Sequence, residues 1–89
     1  MLLMDRHNLL APEWSHVVST TDDIAELEAL RKRVGAPPPA LSHTGRRPHL
    51  DLKWEARDRA LVDPEVKVFE TTRELLRYLQ AGARGGRKV

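Results

Sequence analysis

The chain has 89 residues, the length of one small domain, and a formal net charge of only +2, because 15 Lys and Arg stand against 13 Asp and Glu. It contains no cysteine, which excludes disulfides, thiolate metal ligands and cysteine nucleophiles. The apolar run at residues 1–4 is stopped by Asp5 and Arg6, so it is too short for a signal-peptide core or a membrane span, and we expect a cytoplasmic protein without a membrane partner.

The first half of the chain predicts two strands and one helix. Residues 2–4 are apolar and predict a short strand, and residues 14–19 alternate in the way that favours a second strand. Hydroxyl and acidic side chains then begin a helix at about 22–34, and Gly35 is typical of its end. Three consecutive prolines lie in residues 36–47, which we expect to form a long loop.

The second half repeats the alternation of strand and helix. Residues 49–52 predict a short strand, followed by a helix at about 53–62. Residues 66–69 are rich in β-forming side chains and predict a further strand. The last helix is expected to begin at Thr71, within a Thr-x-x-Glu capping box, and to end at Gly82.

The order of these elements, β-β-α-β-α-β-α, predicts an α/β fold: a small, mostly parallel four-stranded sheet with three helices. We expect residues 1–81 to form this single domain and the residues 82–89, which are rich in Gly, Arg and Lys, to be a flexible basic tail. Residues 14–19 and 49–52 each carry a histidine, and we expect these two stretches to be neighbours in the sheet.

The leading hypothesis is binding of a phosphate-bearing ligand, either a phosphorylated small molecule such as a nucleotide or a nucleic-acid backbone. In open parallel sheets, ligands bind beyond the carboxyl ends of the strands, where Thr20 and Thr21 also open a helix N-terminus. Arg46 and Arg47 in the loop are suited to clamp a phosphate. The alternative is that the threonines only cap helices, which is their commoner role.

A second hypothesis is enzymatic. Asp5, His16, His49 and Asp51 are carboxylate and imidazole groups of the kind that hold a divalent metal for phosphoester hydrolysis, and they are our candidates for catalytic residues or metal ligands. No cofactor motif is evident apart from this set. Asp5 lies at a strand end and both histidines near strand starts, which opposes a common site. The alternative is that the histidines form hydrogen bonds inside the sheet and fix its register.

A third hypothesis is a protein-interaction module, because Trp14 and Trp54 would be suitable anchors if they are exposed. The sequence contains no Gly-x-Ser-x-Gly elbow, phosphate-binding glycine loop or dinucleotide fingerprint. Serine hydrolases, P-loop nucleotide hydrolysis and Rossmann cofactor binding are therefore not expected. The oligomeric state is not predicted.

Two motifs carry a resemblance to a known group of proteins. The chain reads Trp-Ser-His at residues 14–16 and His-x-Asp at residues 49–51, before the Thr-x-x-Glu at residues 71–74. It thereby resembles a family of short bacterial proteins of unknown function, which typically read Trp-Ser-His-Leu and His-Tyr-Asp. This chain has Leu50 in place of the tyrosine and an unusually proline-rich loop before it. The resemblance supports the fold and the choice of residues and implies no particular activity.

Overall fold

The computed structural model of the protein describes residues 1–8, 11–43 and 47–88, which form one mixed sheet and three α-helices. In chain order the elements are β1 (Leu2–His7), β2 (Ser15–Ser19), α1 (Ile24–Val34), β3 (Leu41–Ser42), β4 (His49–Leu52), α2 (Trp54–Leu61), β5 (Val66–Thr71) and α3 (Thr72–Lys88). Within the described ranges, none of these helices combines the length and apolarity that a membrane-crossing segment needs.

The strand order in the sheet is β3-β4-β2-β1-β5. Of these neighbouring pairs, β1 and β5 run parallel and the other three are antiparallel. The α/β class and the three helices are therefore confirmed, but the prediction of four mostly parallel strands is wrong. Parallel neighbours need a crossover of about a dozen residues or more. The connection from β1 to β2 is only residues 8–14, so these two strands have to pair as an antiparallel hairpin.

The fifth strand, β3, lies in the segment that the sequence predicts as loop. It follows a turn of 3₁₀-helix at Pro38–Ala40 and pairs with β4 through two residues, Leu41 opposite Leu50 and Ser42 opposite His49. A strand of two residues is too short to show an alternating pattern, which is why the sequence does not reveal it.

Helix α1 begins and ends where its side chains predict. Asp23 caps the N-terminus, because its carboxylate accepts hydrogen bonds from the backbone N–H groups of Ala25 and Glu26, at 2.9 and 3.3 Å. At the other end Gly35 has a left-handed backbone with φ of 74°, and its N–H donates to the carbonyls of the last turn. The predicted end at Gly35 is confirmed.

Helix α3 continues through Gly82, the residue at which the sequence predicts its end, and reaches Lys88. Its start agrees with the capping prediction, since the hydroxyl of Thr71 accepts from the backbone N–H of Glu74 at 3.2 Å. The flexibility of residues 82–89 stays a prediction, and Val89 lies outside the described residues.

The two faces of the sheet are covered unequally. Helices α1 and α2 lie on one face, where they enclose the larger core. Helix α3 lies on the other face and packs over β1 and β5, which buries Leu3, Val18 and Leu75. On that second face His16, His49 and Asp51 of β2 and β4 are only partly buried. Half of the second face is thus a polar, accessible part of the sheet. The larger core consists of Leu2, Met4, Val17, Leu27, Leu30, Val34, Ala36, Leu50, Leu52 and Ala60.

We predict opposite effects of alanine at two glycines. Gly35→Ala should lower the free energy of unfolding by about 1–2 kcal/mol, since a Cβ strains the left-handed backbone and would lie 3.0 Å from Nη1 of Arg59. Gly82→Ala is the matched control: the added Cβ meets nothing within 4 Å, and because alanine favours a helix more than glycine does, the substitution should raise the free energy of unfolding by up to about 1 kcal/mol. Urea denaturation followed by circular dichroism measures both. Equal effects of the two substitutions would contradict the assigned backbone conformations.

Candidate functional site

The two histidine-bearing stretches are neighbours, as the sequence predicts. Strands β2 and β4 pair antiparallel, with His16 opposite Asp51 and Val18 opposite His49. Directly opposed residues share a face, so these two imidazoles and the carboxylate of Asp51 lie together on the accessible half of the sheet. The pairing places three of the four residues predicted for acid–base or metal chemistry side by side.

Asp5, the fourth of these residues, lies in β1 next to them and has no exposed surface. The β1–β2 pairing ends at Met4 and Val17, and beyond it the Asp5 side chain takes the place of a backbone partner. Its Oδ1 accepts from the backbone N–H of His16 at 2.6 Å, and its Oδ2 lies 3.2 Å from the ring Nδ1 of His16. The hydroxyl of Thr72, at the start of α3, also donates to Oδ2. This carboxylate therefore joins β1, β2 and α3.

The surroundings of Asp5 act on its pKa in opposite directions. Burial raises the pKa, but the hydrogen bonds from His16 and Thr72 and the nearby imidazole lower it more, so the pKa of Asp5 lies below the ordinary value of 3.8. The ionised carboxylate is consequently the stable form at neutral pH. An ionised Asp5 holds the His16 ring by Nδ1 and directs Nε2 toward the accessible side.

A chain of polar contacts, here called the His–Asp network, continues from His16. Nε2 of His16 lies 3.5 Å from Oδ1 of Asp51, and Oδ2 of Asp51 lies 3.4 Å from Nε2 of His49. The two rings meet edge to face with centroids 5.9 Å apart. Nδ1 of His49 donates a hydrogen bond to the carbonyl oxygen of Arg47 at 3.1 Å. The network thus runs from the buried Asp5 to the backbone of the loop before β4.

Four residues next to the network were not among the site residues predicted from the sequence. Thr72 donates to Asp5, and the side-chain nitrogen of Asn8 lies 3.3 Å from Nδ1 of His16. From the opposite face, Arg57 of α2 donates to the hydroxyl of Ser15 at 2.8 Å and to the carbonyl of Arg6, where β1 and β2 separate. Only Ser15 gave a signal, as part of the Trp-Ser-His motif. An arginine within an amphipathic helix gives none.

The other predicted ligand-binding residues lie at a second place, here called the Arg47 groove. Thr20, Thr21 and Arg47 line it from the sheet side, and the apolar wall is formed by α3. Nε of Arg47 donates to Asp22 at 2.7 Å, and its Nη2 lies 3.5 Å from the carbonyl oxygen of Ser19. Arg46, the fourth residue predicted to bind ligand, lies outside the described residues.

The strand ends do not form the common edge that a parallel sheet would give. Because β1 and β2 are antiparallel, Ser19 lies opposite Leu2, and Thr20 and Thr21 are at the other end of the pair from Asp5. The helix N-termini are also occupied: Asp23 caps α1, and the hydroxyl of Ser19 accepts from the backbone N–H groups of Thr21 and Asp23. The predicted use of these N–H groups for a phosphate is therefore opposed by the caps that the chain itself provides.

The four candidate metal ligands form a line rather than a shell. Nδ1 of His16 faces Asp5, and Nε2 faces Asp51. Throughout residues 1–8, 11–43 and 47–88, no three His, Asp or Glu side chains are placed to hold one metal ion. The geometry agrees better with the alternative reading of the histidines, in which they form hydrogen bonds across the strands.

Trp54 is exposed, as the interaction hypothesis requires, and Trp14 is partly exposed. Trp54 is the first residue of α2 and has a left-handed backbone with φ of 54°. Such a conformation costs a residue with a Cβ roughly 1–2 kcal/mol. The residue Trp54 is 72% exposed, so burial of its ring does little to offset this conformational cost.

Comparison with models of protein families, with curated proteins and with solved structures finds no match to this chain. The resemblance to short bacterial proteins stays a prediction.

The low pKa of Asp5 predicts how stability depends on pH. A carboxylate with a depressed folded-state pKa contributes stability that is present above the ordinary value of 3.8 and is lost as the pH falls through the folded-state value. At pH 7, Asp5→Asn should lower the free energy of unfolding by about 2 kcal/mol, since hydrogen bonds to charged groups contribute roughly 1.5–3 kcal/mol. Urea titrations between pH 7 and pH 3 measure the difference between the two proteins.

The difference should shrink below pH 3.8, where wild-type Asp5 is also being protonated. Asp58→Asn, which removes an exposed carboxylate of α2, is the control and should change the free energy of unfolding by less than about 0.5 kcal/mol at pH 7. A difference between wild type and Asp5→Asn that stays constant over the whole pH range would contradict an ionised, hydrogen-bonded Asp5.

Proposed function

We propose that this domain binds a phosphate-bearing ligand, a nucleotide or a nucleic-acid backbone, in the Arg47 groove. One observation carries the proposal. Thr20, Thr21 and Arg47, which were selected for this role from the sequence, line the same groove although Arg47 comes from a different part of the chain than the two threonines. Hydroxyl donors beside a guanidinium are a common combination for phosphate oxygens.

The guanidinium of Arg47 is held in place before any ligand arrives. Asp22 accepts from Nε, the carbonyl oxygen of Ser19 lies 3.5 Å from Nη2, and 38% of the side chain is exposed. An arginine that is fixed by a carboxylate behind it loses less conformational entropy on binding than a free one. In this proposal Nη1 donates a charge-assisted hydrogen bond to a phosphate oxygen.

The His–Asp network supports the backbone at the same place. Nδ1 of His49 donates to the carbonyl of Arg47, and the ring lies beside Asp51, whose second oxygen faces His16. In this proposal the network positions Arg47 and does not itself contact the phosphate. This positioning role agrees with the contact between the network and Arg47, which is made by His49 to the backbone carbonyl and not to the guanidinium.

The apolar wall of the groove favours a nucleotide over inorganic phosphate. Leu76, Tyr78 and Leu79 of α3 face the polar side, and Tyr78 is 37% exposed and packs against Phe69 with ring centroids 5.2 Å apart. A base or sugar could cover this apolar surface while its phosphate meets Arg47. The metal-dependent phosphoester hydrolase that the sequence also suggests has less support, since its four candidate residues form a line.

We predict that Arg47→Ala weakens binding of ATP and of a short single-stranded oligonucleotide by about tenfold or more, because a hydrogen bond to a charged group contributes roughly 1.5–3 kcal/mol. Titration calorimetry and two-dimensional NMR would measure the affinity and locate the shifted amides. The matched control is Arg33→Ala, since Arg33 is 39% exposed, against 38% for Arg47, and likewise pairs with an aspartate, Asp63.

Arg33→Ala should bind as the wild type does. If neither probe bound the wild type at millimolar concentration, or if both variants lost the same affinity, the proposal would be wrong. An additional readout separates positioning from contact: His49→Ala should reduce affinity less than Arg47→Ala, because it loosens a backbone and removes no phosphate contact.

A further inference from the structure

A lysine ammonium lies against the faces of two tryptophans at the end of β4. Nζ of Lys53 is 4.5 Å from the ring centroid of Trp14 and 4.1 Å from that of Trp54. Both distances are within the range of cation–π attraction. These are the only two tryptophans in the chain, and we call this arrangement the indole pair.

The ammonium is held by the rings without help from an ion pair. Among the described residues, no Asp or Glu carboxylate lies within ion-pair distance of Lys53. Lys53 precedes the first residue of α2, where its side chain makes no capping hydrogen bond. The N-terminus of α2 is thus not capped by this side chain, and within the described part of the chain the ammonium can leave the rings without breaking an ion pair.

The backbone of Trp54 keeps its indole in an unusual position. Its left-handed conformation is unfavourable for tryptophan, and the ring gains little from burial. Strain of this kind persists where the surrounding structure or a function requires it. Here the strained residue presents an aromatic face to a cation.

The indole pair and Lys53 line a groove of about 820 Å³. The walls are apolar, and the carboxylates of Asp51 and Glu55 are the acidic groups that line it. The volume is that of a typical ligand-binding cleft, and its acidic and aromatic lining complements a positive charge. The apolar wall is formed mainly by Ala36, Pro37, Pro39, Ala40 and Ala56.

We propose that this groove docks a segment of a partner protein by receiving an arginine side chain between the two indoles, in the place that Lys53 occupies. The bound ammonium shows which chemistry the rings accept. A guanidinium is planar and more weakly hydrated than an ammonium, so it stacks better on aromatic faces. The proline and alanine wall contacts the apolar residues that flank the arginine. Lys53 is an internal competitor that keeps the affinity of the free groove low.

The proposal is independent of phosphate binding, because the indole pair and the Arg47 groove are lined by different residues. It predicts that removing Lys53 increases affinity. Wild type and Lys53→Ala would be titrated with a blocked Pro-Arg-Pro peptide and with the same peptide carrying citrulline, which has the shape of arginine without its charge. Because both tryptophans belong to the site, intrinsic indole fluorescence reports directly on it.

Lys53→Ala should bind the arginine peptide about tenfold more tightly than the wild type, since an internal ligand no longer competes at high effective concentration. The citrulline peptide should bind at least tenfold more weakly than the arginine peptide, and Lys53→Ala combined with Trp54→Ala should lose the gain. Lys67→Ala is the matched control, because Lys67 lies 5.6 Å from the ring of Phe69 at a different place and should bind as the wild type does.

Three outcomes would overturn the proposal: Lys53→Ala binds no more tightly than the wild type, citrulline binds as well as arginine, or tetramethylammonium binds as tightly as the peptide. The last result would indicate a small-molecule site rather than a docking surface. Lys53→Gln, which keeps the length of the side chain and removes the charge, has the same expected result and replaces Lys53→Ala if circular dichroism shows that the alanine variant is unfolded.

Discussion

The buried carboxylate of Asp5 is the contact on which the accessible half of the sheet depends. It replaces a backbone partner where β1 and β2 separate, and it binds the backbone and ring of His16 together with the hydroxyl of Thr72. A buried ionised group is tolerated only when its oxygens are satisfied in this way. Because Asp5 orients the ring of His16, it sets one end of the series of neighbouring polar groups that runs past Asp51 and His49 to the loop at Arg47.

Unequal coverage of the sheet explains where function can reside. One face carries two helices and most of the core, while helix α3 on the other face packs mainly over β1 and β5. The polar residues of β2 and β4 remain accessible for that reason, and both proposed binding surfaces border them. One surface uses an arginine held by Asp22, and the other uses two indoles that hold Lys53. The guanidinium of Arg47 indicates an anionic ligand for the first surface, and the ammonium of Lys53 indicates a cationic ligand for the second.

The sequence predicted local features well and long-range geometry only in part. The helix with its end at Gly35 and the Thr71 cap follow from side chains a few residues apart, and the structure contains both. The pairing of residues 14–19 with 49–52 was also anticipated, but not its direction. Alternation of strands and helices suggested parallel strands, whereas the short connection from β1 to β2 requires the opposite. The roles of Thr72 and Arg57 are set by contacts across more than forty residues, for which a single sequence gives no signal.

The separation between Asp5 and Thr72 has a consequence for the protein as it is synthesised. The two residues are 67 positions apart, and β1, which pairs with both β2 and β5, is made before either of them. A nascent chain can form the hairpin early, but Asp5 has no hydroxyl partner until the start of α3 has been translated. At a translation rate of about 5–20 residues per second, several seconds pass between the synthesis of β1 and the synthesis of Thr72, which donates to Asp5. Ribosome-bound chains that stop before Thr72 should therefore keep this end of the hairpin open to water.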